Sequence, residues 1–228
     1  MRRLFSVVGF VVTLLVWRFV LRVQVSHDIL VSLAWGLPVL VLPLIFLARL
    51  LLDRKPTPAR AASVSSALHF LIMTLLGSAL IASGRFGIMH TLSMQLPAML
   101  TAALIYLSGA FLLLTVVNLA VRGLGTPFAI SLSKRLATDW LYAHTRNPMV
   151  LALLLFLLSL GMKWESPAFF IWTVVLFVPV MITYLKAYEE RELEIRFGKE
   201  YFDYRMRTPL LIPYPVRKPL PPPVNYKA

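Results

Sequence analysis

Long hydrophobic runs separated by short polar breaks recur from one end of the chain to the other. A helix crosses the hydrocarbon core of a bilayer with about 20 apolar residues; runs of that order lie at about residues 4–24, 29–51, 63–83, 97–121 and 167–187, with a shorter one at about 148–162. The pattern predicts an all-α polytopic membrane protein with about six transmembrane helices. Pro38 and Pro43 fall inside the second run and Pro179 inside the last, where a missing N–H predicts bends. Gly77, Ser78, Ala79, Ala82 and Ser83 supply the third run with small residues for close helix approach.

The breaks define the connections. Asp53 to Arg60 reads as a basic loop. Lys163-Trp164-Glu165 is short enough for a tight turn, followed by Ser166 as N-cap and Pro167 in the first helical turn. The last two runs therefore form a C-terminal helical hairpin. Its second leg is expected to continue as a cytoplasmic amphipathic helix from Tyr188 to Phe197, stopped by Gly198. Thr208 to Ala228, rich in Pro, Lys and Arg, reads as extended chain. The chain thus divides into N-terminal helices (1–121), a polar-rich region with the hairpin (122–213) and a Pro-rich basic tail (214–228).

Composition sharpens this picture. Of 228 residues, 59% are hydrophobic, more than a soluble domain of this length carries. The mean hydropathy is +0.77. The absence of cysteine excludes disulfides, thiolate metal sites and cysteine nucleophiles. The net charge of +13 sits at the ends of the hydrophobic runs, a placement that points to anionic membrane lipids and not to nucleic acid. With the N-terminus inside, Arg2, Arg3, Arg54, Lys55, Arg60, Arg122, Lys134, Arg135, Arg146 and the basic C-terminus all face the cytoplasm. Arg22, Arg85 and Lys163 fall outside. The positive-inside rule therefore predicts a multi-pass protein of the cytoplasmic membrane with both termini cytoplasmic. Arg2-Arg3 before an apolar run has the look of a signal peptide, but Arg18 and Arg22 interrupt it and no small-x-small cleavage site follows, so the run reads as a retained span.

Three polar clusters meet on the cytoplasmic face: Gly123 to Gly125, Tyr142 to Pro148, and Glu189 to Arg207. Antiparallel hairpin legs place the start of one beside the end of the other, so Arg146 and Asn147 are expected near Glu189 and Glu190. Asn147 suits an N-cap whose side chain accepts from the first free amides, and Pro148 suits the first turn. Lys186 with Glu190, and Glu192 with Arg196, are spaced to pair as solvated ions. Gly123-Leu124-Gly125 before Thr126-Pro127 reads equally well as a helix stop. His69, inside the third run, suits an interhelical hydrogen bond. His27, His90 and His144 have no metal-binding spacing, and no metal is expected.

The ordered set Arg146-Asn147-Pro148-Met149, a hydrophobic hairpin, Glu189-Glu190, Phe197-Gly198-Lys199-Glu200-Tyr201, Tyr204, Arg207-Thr208-Pro209 and Ile212-Pro213 resembles the integral-membrane methyltransferases. These include isoprenylcysteine carboxyl methyltransferase and the phospholipid N-methyltransferases; the resemblance covers about residues 122–213. It implies S-adenosylmethionine as cofactor, with Arg146, Asn147 and Pro148 beside its pocket. One of Glu189 and Glu190 would hold the cofactor's amino group, Glu190 being the expected one. Gly123 and Gly125 match the Gly-x-Gly of the phospholipid enzymes, and Tyr142 a Tyr preceding the Arg. Tyr204 and Arg207 are implied at the acceptor, with Arg207 and His144 as catalytic candidates. Val150 and Trp140 depart from the pattern, which commonly has Tyr and Gly there. The implied reaction is methyl transfer to a lipophilic acceptor entering from the inner leaflet, either a prenylcysteine-like carboxylate or a phospholipid. Two alternatives compete. An NADPH-dependent sterol-type reductase would usually show Asp-Glu in place of Glu189-Glu190 and a His after the Arg. A non-catalytic scaffold or transporter would usually carry paired charge at the membrane midplane, where only Arg18 and His69 are candidates.

Overall fold

A computed structural model describes residues 2–87, 97–123 and 135–213. The elements are α1 (Arg2–Arg22), α2 (His27–Arg54), α3 (Pro58–Gly87) and α4 (Ala98–Asn118), the last continued by a π-helical segment, Leu119–Gly123. A single turn, α5 (Leu141–His144), precedes α6 (Pro148–Lys163), α7 (Pro167–Phe197) and α8 (Lys199–Arg207). Every regular element among the described residues is helical. Among the described residues, four helices are long and apolar enough to cross a membrane: α2, α3, α4 with its extension, and α7; α6 is a shorter apolar helix of 16 residues. Their outward faces carry exposed apolar side chains such as Leu50, Leu107, Leu113 and Val175. A surface of that kind belongs in hydrocarbon.

Local chemistry sets the helix ends. Ser26 Oγ accepts from the Ile29 amide at the start of α2, and Ser166 Oγ accepts from Phe169 N at the start of α7. Thr57 Oγ1 likewise accepts from Arg60 N at 3.4 Å, and Pro58 fits the first turn, so α3 begins ahead of residue 63. The basic loop expected to reach Arg60 is correspondingly short, and Arg60 lies in the first turn of α3. The α6–α7 hairpin turns at Lys163 to Glu165 as the sequence predicts.

Helices α1 and α3 run parallel in close contact. The Thr13 and Thr74 hydroxyls lie 2.8 Å apart, and Arg85 Nη1 donates to Val20 O at 2.6 Å. Between these contacts the Trp17 indole lies on the backbone of Gly77, where a Cβ would come within 2.3 Å of the ring. Trp17 Nε1 also donates to Met73 O at 3.2 Å. Helix α4 packs along α6, with Ser108 Oγ donating to Ser159 Oγ at 3.3 Å. Trp172 Nε1 of α7 donates to Ala34 O of α2 at 2.8 Å. Val41, Ile45, Leu52, Leu157, Phe169 and Leu185 form the buried centre where α2, α6 and α7 meet.

The disturbance expected at Pro179 takes the form of a π-helical segment at Thr173–Phe177, immediately upstream. Pro179 has no N–H for the carbonyl four residues back, and its ring crowds that carbonyl, so a wider turn accommodates it. A second π segment in α7 spans Leu185–Glu189. Two of the π segments therefore end on residues that the sequence pattern singles out, Gly123 and Glu189.

Candidate functional site

A cavity of about 430 Å³ opens among α1, α3, α4, α6, α7 and α8. One end of it is polar. Tyr142, Arg146, Asn147, Glu189, Glu190, Glu192, Arg196, Tyr201 and Tyr204 line it. The rest is apolar and runs between α1, α3, α4 and α7 past Ile72, Leu76 and Leu112.

The hairpin brings Arg146 and Glu190 together as topology requires. Arg146 Nη1 lies 2.7 Å from Glu190 Oε1, with both side chains largely buried. The same Nη1 donates to Tyr201 Oη at 3.4 Å. Arg146 Nε is buried and has no partner among the described residues. Glu190 Oε2 also meets Arg205 Nη1 at 3.6 Å, and Arg205 in turn pairs with Glu194. From Glu194 the chain of alternating charges continues to Arg191 at 3.3 Å, Asp53 at 2.9 Å and Arg49 at 2.6 Å. Arg49 Nη1 finally donates to Ala187 O at 3.0 Å. This network ties α2, α7 and α8 into one rim and fixes the Glu190 carboxylate.

Glu189 differs from its neighbours. Glu190 is paired with Arg146, and Glu192 with Arg196 at 2.8 Å. Glu189 lines the cavity and makes no hydrogen bond or ion pair among the described residues. The polar end thus holds one acid without a cation, next to an arginine with a spare buried donor.

The loop after α8 holds the Arg146 segment in place. Arg146 N donates to Pro209 O at 2.9 Å, Thr145 Oγ1 to Leu210 O at 3.3 Å, and Asn147 Nδ2 to Leu210 O at 3.0 Å. Asn147 stands at the N-cap position of α6, but its side chain makes no cap hydrogen bond; its Nδ2 donates to Leu210 O instead. Pro148 stands at the first turn of α6 as expected, buried and away from the cavity lining. Tyr204 Oη donates to Tyr142 O at 2.6 Å. Burial pushes the phenols of Tyr142, Tyr201 and Tyr204 well above their ordinary range, so all three remain protonated donors at neutral pH.

Other candidates fall elsewhere. Arg207 is exposed at the last turn of α8; its Nε donates to Asp203 O at 3.1 Å, and it does not line the cavity. Its position is about a third of a turn from Tyr201, which turns it off the cavity face. His144 is exposed at the end of α5 and also stands off the cavity. Gly123 closes the π segment of α4, while Gly125 lies outside the described residues. Lys186 is not the partner of Glu190, and the Glu192–Arg196 pair is buried against the cavity instead of solvated. His69 does make the expected interhelical contact: the Tyr184 hydroxyl lies 3.2 Å from its Nε2.

Three cavity residues were not legible as site residues. Tyr201 sits in a motif without a distinct signal, and Glu192 and Arg196 have the spacing of a surface pair. The i,i+3 spacing of Tyr201 and Tyr204 is the signal that places both on one face of a short helix. Comparison with protein-family models, curated proteins and solved structures gives no match for this chain.

Proposed function

We propose that this protein is a membrane methyltransferase that binds S-adenosylmethionine at the cytoplasmic end of the cavity and methylates a lipophilic acceptor. The observation that carries this reading is the pairing of Glu189, an acid without a cation, with Arg146, whose buried Nε has no acceptor. An acid and a guanidinium in one cavity complement the ammonium and carboxylate of an amino acid, which the cofactor carries at one end. The cofactor's ammonium is assigned to Glu189. Glu190, already neutralised by Arg146, is the positioning residue that holds the guanidinium.

The order of motifs over residues 122–213 supports the same reading. So does Trp140, which stands where the resembled enzymes commonly have glycine and has φ 51°, a backbone region that favours glycine. A sulfonium methyl group is already activated for in-line displacement, so the protein's contribution is alignment and exclusion of water. The apolar remainder of the cavity suits the hydrocarbon part of the acceptor. The test is to incubate purified protein with methyl-labelled S-adenosylmethionine and a fractionated lipid extract. Label is expected in a lipid species; cofactor binding without label in any lipid fraction counts against the lipophilic acceptor.

In this reading α1 and α6 also cross the membrane, and the Arg146–Glu190 end faces the cytoplasm. Cysteine placed at Lys163 should react with an impermeant reagent from outside, and cysteine at Lys199 only after permeabilisation. Equal labelling of both from one side contradicts this orientation.

A further inference from the structure

We infer that the apolar arm of the cavity is a binding site for a single hydrocarbon chain, and that Trp17 is the wall that sets the longest chain it accepts. The inference rests on the amphiphile part of the proposed function, but it concerns α1 and α3, outside the stretch that carries the resemblance. On α3 the lining residues Ser65, His69, Ile72, Leu76 and Leu80 follow one helix face. From His69 to Leu80 that face extends about 16 Å at 1.5 Å per residue. His69 and Tyr184, hydrogen-bonded to each other, mark the change from polar head region to apolar arm.

Trp17, Gly77, Leu80 and Leu112 line the far end. Trp17 is held there on two sides. Its Nε1 donates to Met73 O at 3.2 Å, and its ring rests on Gly77, where any larger residue would displace it. A large flat side chain fixed across an apolar channel stops a chain, whereas a flexible one would yield to it. Small residues at Gly77 and Thr13 let α1 approach closely enough to bring the indole to this position.

The occupant is one aliphatic or isoprenoid chain. The arm is continuous with a charged head site, which an amphiphile matches at both ends.

The test uses saturated fatty acids of graded length as probes, bound to the protein in nanodiscs and quantified by native mass spectrometry. No methyl donor is present. At equal mole fraction in the nanodisc lipid, occupancy should be nearly level with length while the chain fits, because the chain passes from one hydrocarbon environment to another, and should break downward once the chain meets Trp17. Trp17→Ala should move that break to longer chains, Trp17→Phe should move it less, and Ile72→Trp, which fills the arm on the head side of Trp17, should move it to shorter chains. Ile72→Trp keeps the question open to measurement if Trp17→Ala does not fold. A break at the same length in wild type, Trp17→Ala and Ile72→Trp overturns the inference, as does occupancy without a break in the wild type. Cofactor affinity measured on the same samples separates the two ideas. A length break with no S-adenosylmethionine binding keeps the chain site and removes the methyl-transfer reading; the reverse result removes only the chain site.

Discussion

The two ends of the cavity are built by different physics. At the polar end, Arg146, Glu190, Arg205, Glu194, Arg191, Asp53 and Arg49 alternate in charge, and each carboxylate is held by the next guanidinium. At the other end, among the described residues, no charged side chain lines the cavity. There, position is set by how closely helices approach: glycine under Trp17, paired threonine hydroxyls, and an indole N–H on a carbonyl. In the proposed reading this difference suits an amphiphile. The polar end is fixed but retains one acid without a partner among the described residues, whereas the apolar end is fixed by close packing and neutral hydrogen bonds.

Breaking the polar end should have the larger effect. Arg146→Ala leaves Glu190 largely buried with only the more distant Arg205, and removal of one partner from a buried pair costs about 3–5 kcal/mol. A fall in melting temperature that is partly restored in Arg146→Ala/Glu190→Gln is the expected result. A double variant no more stable than the single one contradicts the pairing. The apolar end should respond more mildly. Gly77→Ala puts a Cβ into the Trp17 ring, and overpacking of this kind costs about 1–3 kcal/mol. In a Trp17→Ala background the same substitution should cost much less, because the obstructing ring is gone. An undiminished cost in that background means that Gly77 is needed for another contact.

The same contrast governs what the sequence discloses. The meeting of Arg146 with Glu190 follows from a short turn at Lys163 to Glu165, because a tight turn forces antiparallel legs. The helical class and the long spans follow from hydrophobic run length. What the sequence conceals depends on rotation about helix axes. Glu192 and Arg196 have the spacing of a solvated pair, and only the packing of α3 against the end of α7 turns them inward. Arg207 lies six residues beyond Tyr201, about a third of a turn away around α8, and is exposed. Asn147 has the composition of an N-cap, but a carbonyl more than sixty residues later takes its amide. The role of Trp17 was hidden for the same reason: Gly77 reads as a small packing residue until its neighbour is known.

Glu189 is the centre of the proposed site, and its most direct test is calorimetric titration of S-adenosylmethionine into purified wild type and Glu189→Gln. Glu192→Gln and the melting temperature serve as controls for fold. Loss of a desolvated charge partner costs about 2–5 kcal/mol, so Glu189→Gln should weaken binding by roughly 30-fold or more while the protein melts at or above the wild-type temperature. Wild-type affinity in Glu189→Gln, or no measurable binding to the wild type, would contradict the assignment of this cavity to the methyl donor.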